Sequence, residues 1–395
     1  MTESTRDWAT DFDHVDPAYN ENVHAIWDDL RKRCPVAHTD RYGGTWLPTR
    51  HEDVAAIAYD TEHFSSRGVV VSPFRPENVG LLGGAPPITS DPPAHHEARR
   101  LLLPAFSPKA IAPWESETRT ICRELLAALP IEDGKVDAAR HYTQHIPVRV
   151  ITGMLGVPAE DGDRFRAAIH RVLENPGSGA NLPYEDTLDF YIKARMEERR
   201  ENPGDDLISY LMGLEFEGQP LTDAHVGGMV FLLLIAGIDT TWSAIGSALW
   251  HLATHPEDRW RLIEEPEIMP FAIEELLRAY APVTMARLVA KDTELHGCPM
   301  KENDWVLLPF PAANRDPEEF ERADEVVIDR EVNRHSSFGL GIHRCLGSNL
   351  ARMELRVAVE EWLAAYPEFT LAEGAKVRWS TGQVRGPREL PFRIG

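Results

Sequence analysis

The run Phe338-Gly339-Leu340-Gly341-Ile342-His343-Arg344-Cys345-Leu346-Gly347 places one cysteine inside a glycine-rich frame. Glycines there let a backbone hairpin fold tightly beside a large flat object before a helix opens. Cys345 stands just ahead of that helix, where amides favour a thiolate over a thiol and hydrogen-bond the sulfur, tuning the electron density it gives a metal. The single axial thiolate of a haem meets that need. Outside such a frame a lone cysteine is more often a small buried hydrophobe, which is the competing reading. Cys34, Cys122 and Cys298 lack the frame and form no C-x-x-C pair, so neither a zinc cluster nor a disulfide framework is expected.

Other patterns carry chemistry of their own. Ala236-Gly237-Ile238-Asp239-Thr240-Thr241 sets an acid and two hydroxyls inside an apolar stretch. Small residues at 236 and 237 let a helix approach a bulky group, and the Thr240 hydroxyl can bond back to the carbonyl four residues earlier. A helix-packing notch with a buried threonine explains the same residues without chemistry. Glu275 and Arg278, at i, i+3, share a helix face and can pair with each other and with a third group, although as a surface pair they would contribute only about 0.2–0.5 kcal/mol. His95 and Arg99, in the segment 91–100, share a face at i, i+4. His141 and His145 have that spacing too, but the residues between them lack the glutamate of H-E-x-x-H, so zinc is not expected there.

Together these motifs resemble the cytochrome P450 family. Phe338, Gly341, His343, Cys345 and Gly347 match every fixed position of its haem-ligand signature F-x-x-G-x-[HR]-x-C-x-G. Residues 236–241 match [AG]-G-x-[DE]-T-[TS], and Glu275 with Arg278 matches E-x-x-R about 70 residues before the cysteine. Residues 91–100 are similar to D-P-P-E-H-x-x-x-R, with Ala94 in place of the common glutamate. The resemblance extends from about residue 20 to the C-terminus.

The resemblance implies a mainly α fold with a small β region and a long central helix over haem b, iron protoporphyrin IX. Cys345 would be the sole protein ligand of the iron, framed by Phe338 and Gly347. His95, Arg99, Arg287 and His343 would hold the propionates, and Glu275, Arg278 and Arg330 a buried ion network. It further implies O2 activation, with Asp239 relaying protons and Thr240 holding the hydrogen-bond network. The product would be a hydroxylated or O-dealkylated small apolar or aromatic substrate. Its pocket would be lined by Val70, Val71 and Phe74 in the loop 69–82, by Val283, Met285, Gln383 and Val384, and by Leu232, Ile235 and Ala236 on the helix face that leads to Asp239. Arg75 either binds a substrate carboxylate or is a solvated loop residue. A haem-thiolate ligand-binding or sensing protein and a peroxide-driven peroxygenase are the alternatives, and the Asp239-Thr240 pair argues against both.

Helices must do most of the positioning. Helical periodicity marks 119–129, 143–155, 165–173, 187–199, 268–280 and 350–365, and short strand patterns fall at 44–47, 287–290, 304–308 and 390–393. The proline-free stretch 222–254 opens on a Thr222/Asp223 cap and at 1.5 Å per residue would run roughly 50 Å, across the whole molecule. With 395 residues, 43% hydrophobic and 26% charged, and no repeat or linker, the chain reads as one continuous domain, 1–395. Its 41 basic and 63 acidic residues give a net charge of −22, which argues against nucleic acid as a partner. The polar start and the short longest apolar stretch, 229–236, predict a cytoplasmic protein with no membrane association.

No flavin or iron–sulfur region is expected in the sequence, so electrons would come from a ferredoxin and an NAD(P)H-dependent ferredoxin reductase. Arg100, Lys109, Arg344, Arg352 and Arg356 would form a basic patch on the Cys345 side, suited to an acidic ferredoxin, unless they merely keep that surface solvated.

Overall fold

The computed structural model describes residues 6–73, 75, 84–174, 182–216 and 218–395. Its axis is the 32-residue helix Asp223–Thr254, which begins where the Thr222 hydroxyl accepts the His225 amide hydrogen. This helix is long and apolar enough to cross a membrane, which the short apolar stretch had not suggested, but 67% of its most apolar window is buried inside the protein. It is a core helix, apolar on nearly every face because other helices surround it.

Those neighbours are His145–Leu155, Leu188–Glu201, Met269–Ala279 and Ser348–Ala365, with Trp114–Ala127 packed outside them. Ser348–Ala365 buries Leu355, Val359 and Trp362 along one stripe. Trp362 meets Tyr142, Phe369 and Phe392 with ring centroids 5.1, 5.7 and 5.6 Å away, and the Tyr142 hydroxyl donates to the Ala358 carbonyl at 2.8 Å. Burial of each such side chain contributes about 1.5–3 kcal/mol.

A five-stranded sheet lies to one side in the order Val36–Thr39, Thr45–Pro48, Trp305–Pro309, Thr284–Val289, Phe64–Ser65. Only Trp305–Pro309 and Thr45–Pro48 run parallel. Side chains alternate along Trp305–Pro309, so Trp305 and Leu307 enter one small core while Val306 and Leu308 enter another. A second sheet pairs Phe369–Leu371, Pro391–Ile394 and Lys135–Asp137. The mainly α reading with a small β region is what the chain adopts, at about 52% helix.

The ion network ties helix Met269–Ala279 to the segment 314–333. Glu275 and Arg278 are wholly buried and bidentate, with both bonds at 2.8 Å. Arg330 adds a third bond at 2.9 Å, Asn333 a fourth at 3.0 Å, and the Val327 amide a fifth at 2.8 Å. Arg278 donates onward to the carbonyls of Asn314, Ala323 and Glu325, so every charged atom is satisfied. Glu275→Ala would leave Arg278 buried without its counter-ion, at a cost of about 3–5 kcal/mol, a large share of the roughly 5–15 kcal/mol that keeps a domain folded. Thermal unfolding checks this: a variant that melts with the wild type contradicts a structural role.

Candidate active site

Gly339 and Gly341 both take left-handed backbone, at φ +74° and +68°, and shape the loop before Cys345. At Gly341 a Cβ would stand 2.5 Å from the Ala58 carbonyl oxygen, so only glycine lets the loop seat on helix His51–Tyr59. The Cys345 amide donates to the Phe338 carbonyl at 2.7 Å and closes the hairpin. Arg352 stacks on Phe338, its guanidinium carbon 4.4 Å from the ring centre. Gly347, just ahead of Ser348–Ala365, accepts the Ala351 amide and directs its own N–H at the Cys345 sulfur.

Cys345 is at once accessible and enclosed. Its surface is accessible, unlike that of Cys122, yet burial pushes its thiol pKa up, against the Gly347 amide, Arg99, Arg344 and Arg352, which pull it down. Both hold if the sulfur opens onto a cleft walled by protein. The central helix behaves alike: Ala236 is exposed at mid-helix, and Leu232 and Thr240, one turn to either side, are part-exposed, whereas Ile235, Ile238 and Asp239 are buried. The open stripe is therefore Leu232, Ala236, Thr240, and Ile235 and Asp239 do not share it, a correction to the single face expected. Spacing of i, i+4 keeps residues on one line more closely than i, i+3. Gly237 turns to helix His145–Leu155, where a Cβ would meet Ile151 at an ordinary 3.5 Å.

Basic side chains converge at the edge of this cleft. His95 is 1% exposed and neither ring nitrogen has a partner. Its ring centre lies 4.3 Å from that of His343, whose Nε2 sits 2.9 Å from Ser66 Oγ. Arg287 is buried, and its recorded bond is to the carbonyl of its own neighbour Ala286. Arg99 donates to the Arg344 carbonyl at 2.6 Å. Burial, then mutual repulsion, pushes His343 down to about 2 and His95 down to about 4, and burial brings Arg287 to about 10. Such a cluster is incomplete without anions. A thiol, an open helix stripe and four unneutralised donors fit a flat group carrying two carboxylates.

The Thr240 hydroxyl donates to the Ala236 carbonyl at 2.8 Å, the bond its spacing predicts. Asp239 is fully buried, with Oδ1 2.7 Å from Arg388 Nη2 at an angle poor for a hydrogen bond and Oδ2 without a partner. Burial raises its pKa to about 6 despite Arg388, and Glu174 adds to the rise. Arg388 and Glu174 were not legible as site residues. Arg388 reaches the helix because Gly386 presses against it: a Cβ there would stand 2.3 Å from that of Ser243. An arginine in the mostly apolar run 387–392 was the one available signal.

Several expected pocket residues are otherwise engaged. Gln383 accepts the Val71 amide at 2.6 Å and donates to the Val69 and Thr284 carbonyls at 3.0 and 2.8 Å, so its amide ties loops together and is not free for a ligand. Val71 and Val384 are buried, Val283 bridges to Val384, and Val70 and Met285 are part-exposed. Phe74 lies outside the described residues. Arg75 donates to the carbonyls of Asn303, Ser72, Tyr42 and Gly43 and stacks on Trp305, which corrects the carboxylate-binding idea. A cavity of about 650 Å³, unforeseen in the sequence, lies near the start of the central helix, between Ile192, Met196, Phe231 and Tyr184.

The basic patch also shrinks. Arg100 pairs with Glu97, Arg352 with Glu274 at 2.6 Å, and Arg356 with Glu115 and Glu360. Among the described residues of that set, Arg344 and Lys109 alone have no ion pair. Helical spacing supplies Arg100 and Arg356 with nearby carboxylates, while Arg352 and Arg356 also meet Glu274 and Glu115 on other helices, partners that sequence distance concealed.

Comparison with known proteins names the architecture. A family model described as Cytochrome P450 matches residues 180–378. The chain is 34% identical over 385 residues to a mycinamicin IV hydroxylase/epoxidase of Micromonospora griseorubida, covering 94% of this chain and 96% of that one. It is 34% identical over 381 residues to a vitamin D(3) 25-hydroxylase of Pseudonocardia autotrophica, covering 95% and 94%. Among solved structures it is similar to the bacillaene polyketide synthase cytochrome P450 of Bacillus subtilis, at TM-score 0.87 and 29% identity over 98% of this chain and 100% of that one. A Bacillus megaterium protein in complex with testosterone gives TM-score 0.85 and 32% identity over 95% and 98%. These likenesses define a haem-thiolate oxidoreductase that works as a monooxygenase, with redox partners and a small organic substrate. The chain belongs to the cytochrome P450 family.

Proposed function

We propose that residues 1–395 form one cytoplasmic haem domain that hydroxylates or O-dealkylates a small apolar or aromatic compound, drawing electrons from a ferredoxin and its NAD(P)H-dependent reductase. The observation that carries this reading is the pairing of Asp239, a buried carboxyl beside Arg388, and Thr240, whose hydroxyl donates to the Ala236 carbonyl on the open stripe. A sensor needs neither group, and a peroxygenase receives its protons with the peroxide.

Cys345 would be the sole protein ligand of haem b, with Phe338 and Gly347 framing it and His95, Arg99, Arg287 and His343 neutralising the propionates. When bound, the haem supplies reduction of O2 and transfer of one oxygen atom. The chain does the rest. Leu232 and Ala236 leave room beside the helix. Thr240 keeps its oxygen lone pairs available to accept a hydrogen bond, because its own hydrogen is spent on Ala236. Asp239 takes up a proton at Oδ2, the oxygen Arg388 does not approach, as pH falls through about 6. The relatives named for mycinamicin IV and vitamin D(3) support a lipophilic substrate. A screen of such compounds for a shift of the ferric Soret band, followed by product analysis with surrogate redox partners, tests it. Compounds that shift the band yet yield no oxygenated product contradict the enzyme reading.

Electron delivery is expected to depend on Arg344. Arg344→Glu should slow reduction by ferredoxin without altering substrate affinity, and wild-type reduction should weaken with salt. Arg352→Glu is a poor probe, because it also breaks the Glu274 pair. Salt-independent reduction in stopped-flow measurements would leave the patch without a role.

A further inference from the structure

Asp239 shares its counter-ion. Arg388 Nη2 lies 2.7 Å from Asp239 Oδ1, an ion pair without hydrogen-bond geometry, while its Nε donates to Glu174 Oε1 at 2.6 Å. Its Nη1 donates to Ser243 Oγ at 3.1 Å, and its guanidinium carbon lies 4.2 Å from the centre of the Trp242 ring. The two carboxylates come from different elements, the central helix and the wide turn His170–Glu174, and the guanidinium comes from strand Pro387–Glu389. Glu174 Oε2 in turn lies 3.1 Å from His170 Nδ1, whose side chain is 59% exposed. The line Asp239, Arg388, Glu174, His170 thus runs from the buried helix to solvent, and these are the charged groups that bear on Asp239 among the described residues.

Two carboxylates and one guanidinium leave one negative charge in excess. Arginine does not deprotonate in proteins, so Arg388 is a shared counter-ion and not a proton carrier. Held by Asp239 alone, it would depress that carboxyl by about 1–3 pH units and fix it as a carboxylate. Glu174 prevents this by occupying the Nε edge and adding its own repulsion. We propose that Glu174 is a positioning residue for proton supply, which keeps Asp239 protonatable by competing for Arg388, with His170 as the solvent-facing group that sets the balance. Positive charge at the His170 position favours ionised Asp239, so the solvent-facing end of the line and the buried carboxyl are coupled. This rests on the reading of Asp239 as a proton donor.

Infrared titration of the ferric holoenzyme tests it, with the protonated-carboxyl band of Asp239 identified by its loss in Asp239→Asn. Glu174→Gln should move the midpoint of that band down from about 6 by about one pH unit or more, Glu174→Asp should restore most of it, and His170→Gln should move it up. The pH profile of turnover should shift in step. The reduced carbon monoxide spectrum shows that each variant is folded, and the aspartate variant serves if the glutamine variant does not fold. A Glu174→Gln midpoint equal to wild type overturns the inference while leaving Asp239 in place. No titrating band lost in Asp239→Asn, together with undiminished turnover in that variant, overturns the underlying reading instead.

Discussion

Replacing Cys345 with serine is expected to abolish the long-wavelength Soret band of the reduced carbon monoxide complex. Serine keeps the size of the side chain and the amide bond to the Phe338 carbonyl, so the loop should persist and the effect should be on ligation alone. The thiol sits where the Gly347 amide, Arg99, Arg344 and Arg352 all favour its anion against burial. No other described cysteine has such a setting. Cys122 is buried among helices, and burial pushes its thiol up to about 12, while Cys34 and Cys298 pack against the small cores beside the sheet. The band should vanish completely, and its persistence in the serine variant would place the ligand elsewhere.

The second large effect separates two neighbours. Asp239 and Thr240 project about 100° apart around the helix, one into the Arg388 pair and the other onto the open stripe. Asp239→Asn keeps the shape beside Arg388 but removes the proton, and turnover should fall as a whole by roughly 10²–10⁴-fold, a barrier increase of about 3–5 kcal/mol. Thr240→Ala frees the Ala236 carbonyl and loosens the hydrogen-bond network, so NADH consumption should continue while electrons are diverted to hydrogen peroxide. Counting NADH, peroxide and product together distinguishes the two. A tightly coupled Thr240→Ala enzyme, or an undiminished Asp239→Asn enzyme, would return these residues to helix packing.

What could be read beforehand was what is local. The Cys345 loop, the Thr240 back-bond and the Glu275–Arg278 pair are set by spacings of one to a few residues, so glycine chemistry and helical period expose them. The central helix was legible to within one residue, because its cap and lack of proline are local too. What escaped depends on contacts across long stretches of chain. Arg388 meets Asp239 across about 150 positions through the bare backbone of Gly386. Arg75 and Gln383 look like free polar groups in sequence and are consumed by backbone carbonyls of distant loops. Arg352 and Arg356 look like a surface patch and are paired with Glu274 and Glu115 on distant helices. Helix Ala94–Leu102, which carries His95 and Arg99, is short but clearly amphipathic, with His95, Ala98, Leu101 and Leu102 buried along one face, so its period was legible and went unread.

The central claim is that electrons and O2 together place one oxygen atom in an organic substrate. Hydroxylation consumes the substrate C–H bond, one O2, two electrons and two protons, and yields the alcohol and one water. The direct test is turnover under oxygen-18 gas with ferredoxin, its reductase and a compound that shifts the ferric Soret band. The account predicts one labelled oxygen atom in each hydroxylated product, one product per NADH in the coupled wild type, and loss of that label when electrons are withheld. Unlabelled product, or no product beyond the reaction lacking enzyme, would contradict it.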